Sequence, residues 1–148
     1  MRLNGPWSTA QIAAFLDSSI IPLRLAVMHP DGGPLVLSLW FQLDADGIWC
    51  ATSRSAFVAG ALRRDPRCAF EIASEVPPYR GVRGQAMSFL HDDRGEPTLK
   101  RLLDRYGFAP TSKLGRTLLA RAHNETAIQI RPNKMSSWDF SSRMSDGK

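Results

Sequence analysis

Leu35, Leu37, Leu39, Phe41 and Leu43 occupy every second position of one nine-residue stretch. Successive side chains of an extended strand point to opposite faces, so Leu35–Leu43 reads as a strand with one wholly apolar face. Its other face, Val36, Ser38, Trp40 and Gln42, is mixed. Tight-turn sequences flank it: Pro30-Asp31-Gly32-Gly33 before and Asp44-Ala45-Asp46-Gly47 after, the latter ending in the Asp-Gly typical of hairpins. A one-sided strand held between two tight turns demands an antiparallel sheet. One face of that sheet builds a core and the other must meet something else.

The rest of the chain continues this pattern. Ser8 with Gln11 three residues later has capping-box spacing and opens a helix that ends near Ser18–Ser19, before Pro22. Leu23–His29 and Ile48–Thr52 are strands on either side of the alternating segment. A short helix over Ala56–Arg64 stops at Asp65-Pro66. Arg67–Ser74 is a fourth strand, and Tyr79–Leu90 a fifth after Pro77-Pro78. Gly81 and Gly84 inside the fifth suggest a bulge or the close approach of another group. Leu99, Leu102, Leu103 and Tyr106 follow helical spacing, so Glu96–Tyr106 is an amphipathic helix, and Lys113–Ala122 is another. Thr126–Arg131 is a sixth strand, Lys134–Phe140 an extended segment, and Ser141–Lys148 a frayed tail. The expected fold is mainly β: a six-stranded antiparallel split barrel of Greek-key type, in one domain over residues 1–148, with peripheral helices.

Composition narrows the classes. At 43% hydrophobic and 22% charged residues, the chain is an ordinary globular one. It contains no apolar run long enough to span a bilayer. It opens on no secretory-leader pattern and has only Cys50 and Cys68, which together point to the cytoplasm. The net charge of +5, from 19 basic and 14 acidic residues, favours anionic partners without choosing among them.

No standard catalytic constellation is present. His29, His91 and His123 are far apart and lack metal-ligand spacing, so no metal site is expected. Cys50 and Cys68 fall on apolar strand faces and read as small core residues. Thr52-Ser53-Arg54-Ser55 runs from a strand into a helix. It can cradle a phosphate with hydroxyls, helix N–H groups and a guanidinium, or it can simply cap the helix. Trp40 calls for cover by a ligand, a partner subunit or a helix of its own chain. Tyr79, Arg83 and Gln85 share one face of the fifth strand, which is either a polar site wall or a solvated edge. Gly81-Val82-Arg83-Gly84 also matches the Gly-x-x-Gly of an RNA-binding loop, but within a strand pattern rather than between helices.

The order of these pieces is similar to the flavin-binding split barrel of the pyridoxamine 5′-phosphate oxidase-like superfamily. The resemblance rests on Leu39-Trp40-Phe41, Asp46-Gly47, Ile48–Thr52, the helix closed by Leu62–Arg67, Pro77–Gly84, and Ile130-Arg131-Pro132 with Trp138-Asp139-Phe140. It covers residues 8 to 143. It implies a homodimer with two cofactor sites at the subunit interface, FMN as cofactor with the deazaflavin F420 or haem as alternatives, and an oxidoreductase or a non-enzymatic cofactor carrier. Val36, Ser38, Leu39 and Trp40 would run beside the flavin ring. Ala51, Thr52, Ser53 and Arg54, with Val58, would lie by the ribityl chain and phosphate. Tyr79, Arg80, Arg83, Gln85 and Trp138 would approach the cofactor, some of them from the partner. One departure stands out: where FMN binders of this group carry a basic residue early in the short helix, this chain has Phe57-Val58.

Overall fold

The computed structural model describes residues 1–145. Eight strands and five α-helices follow one another as β1 (Arg2–Asn4), α1 (Thr9–Ser18), β2 (Leu23–Met28), β3 (Pro34–Leu39), β4 (Gln42–Asp44), β5 (Gly47–Ser53), α2 (Phe57–Arg64), β6 (Arg67–Ala73), β7 (Arg80–His91), α3 (Gly95–Arg105), α4 (Lys113–Leu119), β8 (Glu125–Asp139) and α5 (Ser141–Ser145). The capping box at Ser8 is formed in both directions, Gln11 N–H to Ser8 Oγ and Ser8 N–H to Gln11 Oε1. No described helix is long and apolar enough to cross a membrane.

The six-strand expectation undercounts. All eight strands form one sheet, in the order β3-β2-β6-β7-β8-β5-β4, with β1 paired to β8 in parallel. Every other pairing is antiparallel. The sheet is not closed by hydrogen bonds, yet its two end strands, β3 and β4, are consecutive in the chain. Only Trp40 and Phe41 separate them, a link of roughly 10 Å at most. The sheet must therefore curl until its edges meet. The alternating stretch from Leu35 to Leu43 is thus two strands rather than one. Its apolar face survives the break: Phe41 is fully buried, and Leu35, Leu37, Leu39 and Leu43 pack against the same core.

β8 is also longer than the sequence suggests, because Thr126–Arg131 and Lys134–Phe140 merge across Pro132. The register steps between Gln85/Lys134 and Ala86/Pro132, leaving Asn133 as a bulge. On the opposite side of β8, β5 pairs only as far as Ile130 and β1 starts at Lys134. Pro132 sits in the gap, where a missing N–H donor costs nothing. The glycines of β7 mark close approach. A Cβ on Gly84 would lie 2.7 Å from Lys134 O and from the Phe70 ring, and one on Gly81 2.8 Å from Trp138. Beyond β8, the expected frayed tail is corrected in part: Ser141–Ser145 form a short helix. The remainder of that expectation, residues 146–148, lies outside the described residues.

Candidate functional site

The side chains of β2, β6, β7 and β8 that point away from the core form a register-locked grid. One row runs Ser38, Arg24, Glu71, Arg83, Ser136 across β3, β2, β6, β7 and β8. The next runs Val36, Ala26, Ala69, Gln85, Lys134. Adjacent strands lie about 4.8 Å apart, so each row is roughly 19 Å long. Ala26 and Ala69 are too short to fill the second row, which becomes a trough. Among the described residues no helix covers it: Val36 is 64% exposed and Met87 36%. An open concavity of about 680 Å³ lies here, lined by Arg24, Ala26, Val36, Ala69, Phe70, Glu71, Arg83, Gly84, Gln85, Lys134 and Ser136. A second concavity shares Ala26, Ala69 and Gln85 and extends it toward Met28, Pro34 and Met87.

Charge is concentrated on one wall. Arg24 donates to Ser38 Oγ at 2.9 Å and to Glu75 Oε1 at 3.1 Å. Arg83 lies 3.8 Å from Glu71 Oε2 and 4.2 Å over the Trp138 ring. Lys134 lies at the far end of the trough floor. Glu75 and Glu71 partly offset Arg24 and Arg83, while Lys134 has no carboxylate partner among the described residues; with a floor of small apolar side chains, this leaves a net positive end that suits a flat ligand with an anionic group. The predicted residues Val36, Ser38, Arg83, Gln85 and Trp138 meet on this face.

The start of α2 holds a separate group. Ser53 and Ser55 hydroxyls are 3.0 Å apart, and α2 carries no side-chain cap at Ala56. Arg54 is already engaged: its Nε donates to Glu125 O at 3.3 Å and lies 3.8 Å from Asp92. The hollow beside it is lined by Asp92, Asp93 and Glu96 as well as Arg54, Lys100 and His123, an acidic setting for a phosphate. Thr52 and Ser53 pair with Thr126 and Glu125, about ten residues along β8 from Ser136. That is roughly 30 Å of strand. The start of α2 nevertheless reaches the other end of the trough face, because Phe57 stacks on His29, next to Met28 in the second concavity.

The other predicted residues scatter. Trp40 finds its cover in its own chain, stacked on Tyr106 (4.8 Å, 10°) and Phe108 (5.3 Å, 18°), with Ala51 in the same cluster. Leu39 packs on the core and Val58 lies within it. Phe57, the other half of that pair, stacks on His29 at 5.4 Å. Tyr79 is exposed beside the Pro77-Pro78 turn, and the Arg80 guanidinium lies over Phe15 at 5.8 Å. The Gly-x-x-Gly match lies inside β7 with no flanking helices.

Cys50 and Cys68 are free and buried, and burial raises both thiol pKa values, that of Cys68 to about 12, which keeps them protonated and unreactive. Among the described residues no cluster of His, Cys, Asp or Glu could hold a metal. His91 is occupied with Gln129 Oε1 at 2.9 Å and tilted against Trp49.

No protein-family model matches this chain, and no curated protein matches it in sequence. Solved structures do. A conserved hypothetical protein of Mycobacterium tuberculosis superposes with a TM-score of 0.74 at 26% identity, over 90% of this chain and 86% of that one. An F420 reductase gives 0.73 at 21% identity, over 88% and 98%. A putative pyridoxamine 5′-phosphate oxidase from Listeria innocua gives 0.67 at 15%, over 86% and 95%. The chain has the pyridoxamine 5′-phosphate oxidase-like split-barrel fold. In this split barrel, the uncovered face of β3-β2-β6-β7-β8 is the surface left free to meet a ligand or a partner. Arg24, Ala26, Ala69, Glu71 and Lys134 were not legible as site residues from sequence. The signal available was faint: Ala26 and Ala69 alternate with large core residues where a solvated face would carry longer polar side chains.

Proposed function

We propose that this split barrel binds a flavin-type redox cofactor, FMN with F420 as the alternative, and acts as an oxidoreductase in the form of a homodimer. The observation that carries this is the trough itself: a flat floor of Ala26 and Ala69, walled by Arg24 and Arg83 and ending at Lys134. The donor set fits an aromatic ring system with an anionic tail. When bound, such a cofactor carries the hydride or electron pair, so no side chain need act as acid or base. The chain's own part is to seat the ring on the alanine floor, hold the anionic end with its cations, and keep bulk water from one ring face. Arg83, already stacked over Trp138, is positioned to face negative charge on the ligand.

The dimer is supported by the uncovered face. Val36 and Met87 stand exposed on it, and a second copy seated there would bury them. Haem fits less well, because among the described residues no histidine lines the trough. A cofactor carrier on the same fold is the second reading, and turnover with a reduced nicotinamide separates the two.

The test is the visible absorption of the purified protein, before and after adding FMN or F420, with its mass in solution. A bound flavin or deazaflavin spectrum on a dimer supports the proposal. A protein that stays colourless with both cofactors overturns it.

A further inference from the structure

We propose that Arg2 and Lys134 form a phosphate subsite at the end of the trough, where β1 joins the edge of β8. The proposal rests on the cofactor-site reading above and deepens it. β1 pairs with β8 in parallel, Arg2 with Lys134, Leu3 with Met135 and Asn4 with Ser136. Leu3 and Met135 pack on the core. Side chains alternate along a strand, so Arg2, Asn4, Lys134 and Ser136 stand on the outer face. The N-terminal strand thus lengthens the trough row by one cation, and the row beside it by one amide.

Two like charges directly opposite each other on a ladder destabilise the pairing. Here nothing among the described residues offsets them: no carboxylate lies within ion-pair distance of Arg2 or Lys134. The other arginines of the trough face are all engaged. Arg24 has Glu75 and Ser38, Arg83 has Glu71 and the Trp138 ring, and Arg67 has Asp65. Lys134 and Ser136 line the concavity, with Gln85 across the ladder from Lys134. An unbalanced pair of cations flanked by a hydroxyl and two amides is the donor set of a phosphate monoester. It also supplies what the start of α2 lacks, where Phe57 stacks on His29, Val58 is buried and Arg54 faces Asp92.

The experiment compares FMN with riboflavin, which lacks only the phosphate, on the full chain, on R2Q, on K134Q and on the double variant. Flavin fluorescence quenching reads affinity. The unaltered protein should prefer FMN by about tenfold or more, and the double variant should lose that preference while its riboflavin affinity stays the same. Equal affinity for FMN and riboflavin in the unaltered protein, or a preference that persists in the double variant, would overturn the proposal. Inorganic phosphate serves as a second probe, read as a rise in thermal midpoint, with far-UV circular dichroism confirming that each variant folds. If neither flavin binds but phosphate raises the midpoint in the unaltered protein and not in the double variant, the subsite stands and the cofactor reading falls. If neither flavin binds and phosphate has no effect, the subsite falls as well.

Discussion

Removing one oxygen from Tyr106 should unfasten the place where the sheet turns back on itself. β3 ends at Leu39 and β4 begins at Gln42, and the Phe41 N–H in between donates to Tyr106 Oη at 3.1 Å. The same hydroxyl donates to Ile21 O at 2.8 Å. Tyr106→Phe keeps the ring, and with it the stack on Trp40 at 4.8 Å, but deletes both hydrogen bonds. Phe41 is fully buried, so its N–H is left unsatisfied away from water. That costs about 1–3 kcal/mol, and the lost bond to Ile21 adds about 1 kcal/mol. A net loss of about 2–4 kcal/mol corresponds to a fall of roughly 5–15 °C in midpoint for a domain of this size. Urea and thermal unfolding at neutral pH, followed by far-UV circular dichroism and tryptophan fluorescence, measure it. A variant within about 0.5 kcal/mol of the parent would refute the argument. It would mean that Phe41 N–H finds another acceptor and that the link between the sheet ends does not depend on this hydroxyl.

Trp40→Ala should cost about 3–4 kcal/mol, because two stacked rings lose their partner and a cavity opens beside α3; a change under about 1 kcal/mol in the urea midpoint would show that the cluster collapses to fill it. Gly84→Ala brings a Cβ to 2.7 Å from Lys134 O and the Phe70 ring, and should destabilise by about 1–3 kcal/mol while disturbing the trough floor; a neutral midpoint would contradict the close approach. The paired bonds from Arg101 hold the Asp44 carboxyl below its usual pKa of 3.8. The unfolded chain therefore takes up the proton first as pH falls, and the pair's contribution, about 1 kcal/mol for so partly exposed a pair, is present above pH 3.8 and lost below it. Asp44→Asn should lower the urea midpoint at pH 7 and narrow its gap to the parent at pH 3; an equal gap at both pH values would count against the pair. Burial raises the Glu125 pKa, with Oε2 lacking a hydrogen-bond partner, so Glu125→Gln should stabilise the neutral-pH fold by about 1 kcal/mol, and a loss of stability would assign that carboxylate a partner.

Local signals carried the elements a long way. The period of two from Leu35 to Leu43, the Asp-Gly turn and the capping box at Ser8 were legible because each depends on residues a few positions apart. The residues that carried the family likeness led to the right fold for the same reason. Three features were decided only by tertiary structure. β1 is three residues long and has no periodicity to read, so it exists only because β8 offers an open edge. β8 runs through Pro132 because neither β5 nor β1 needs that N–H. Trp40 is covered by Tyr106 and Phe108, which sequence spacing cannot bring to it. The trough follows the same logic. Ala26, Ala69, Gln85 and Lys134 come from four strands that are neighbours in the sheet but not all consecutive in the chain. Alternation states which side of a strand faces out, whereas the identity of the neighbouring strand is set by long-range pairing and burial. Sequence therefore determined a one-sided antiparallel sheet with an exposed polar face, and tertiary pairing decided which cations that face gathers.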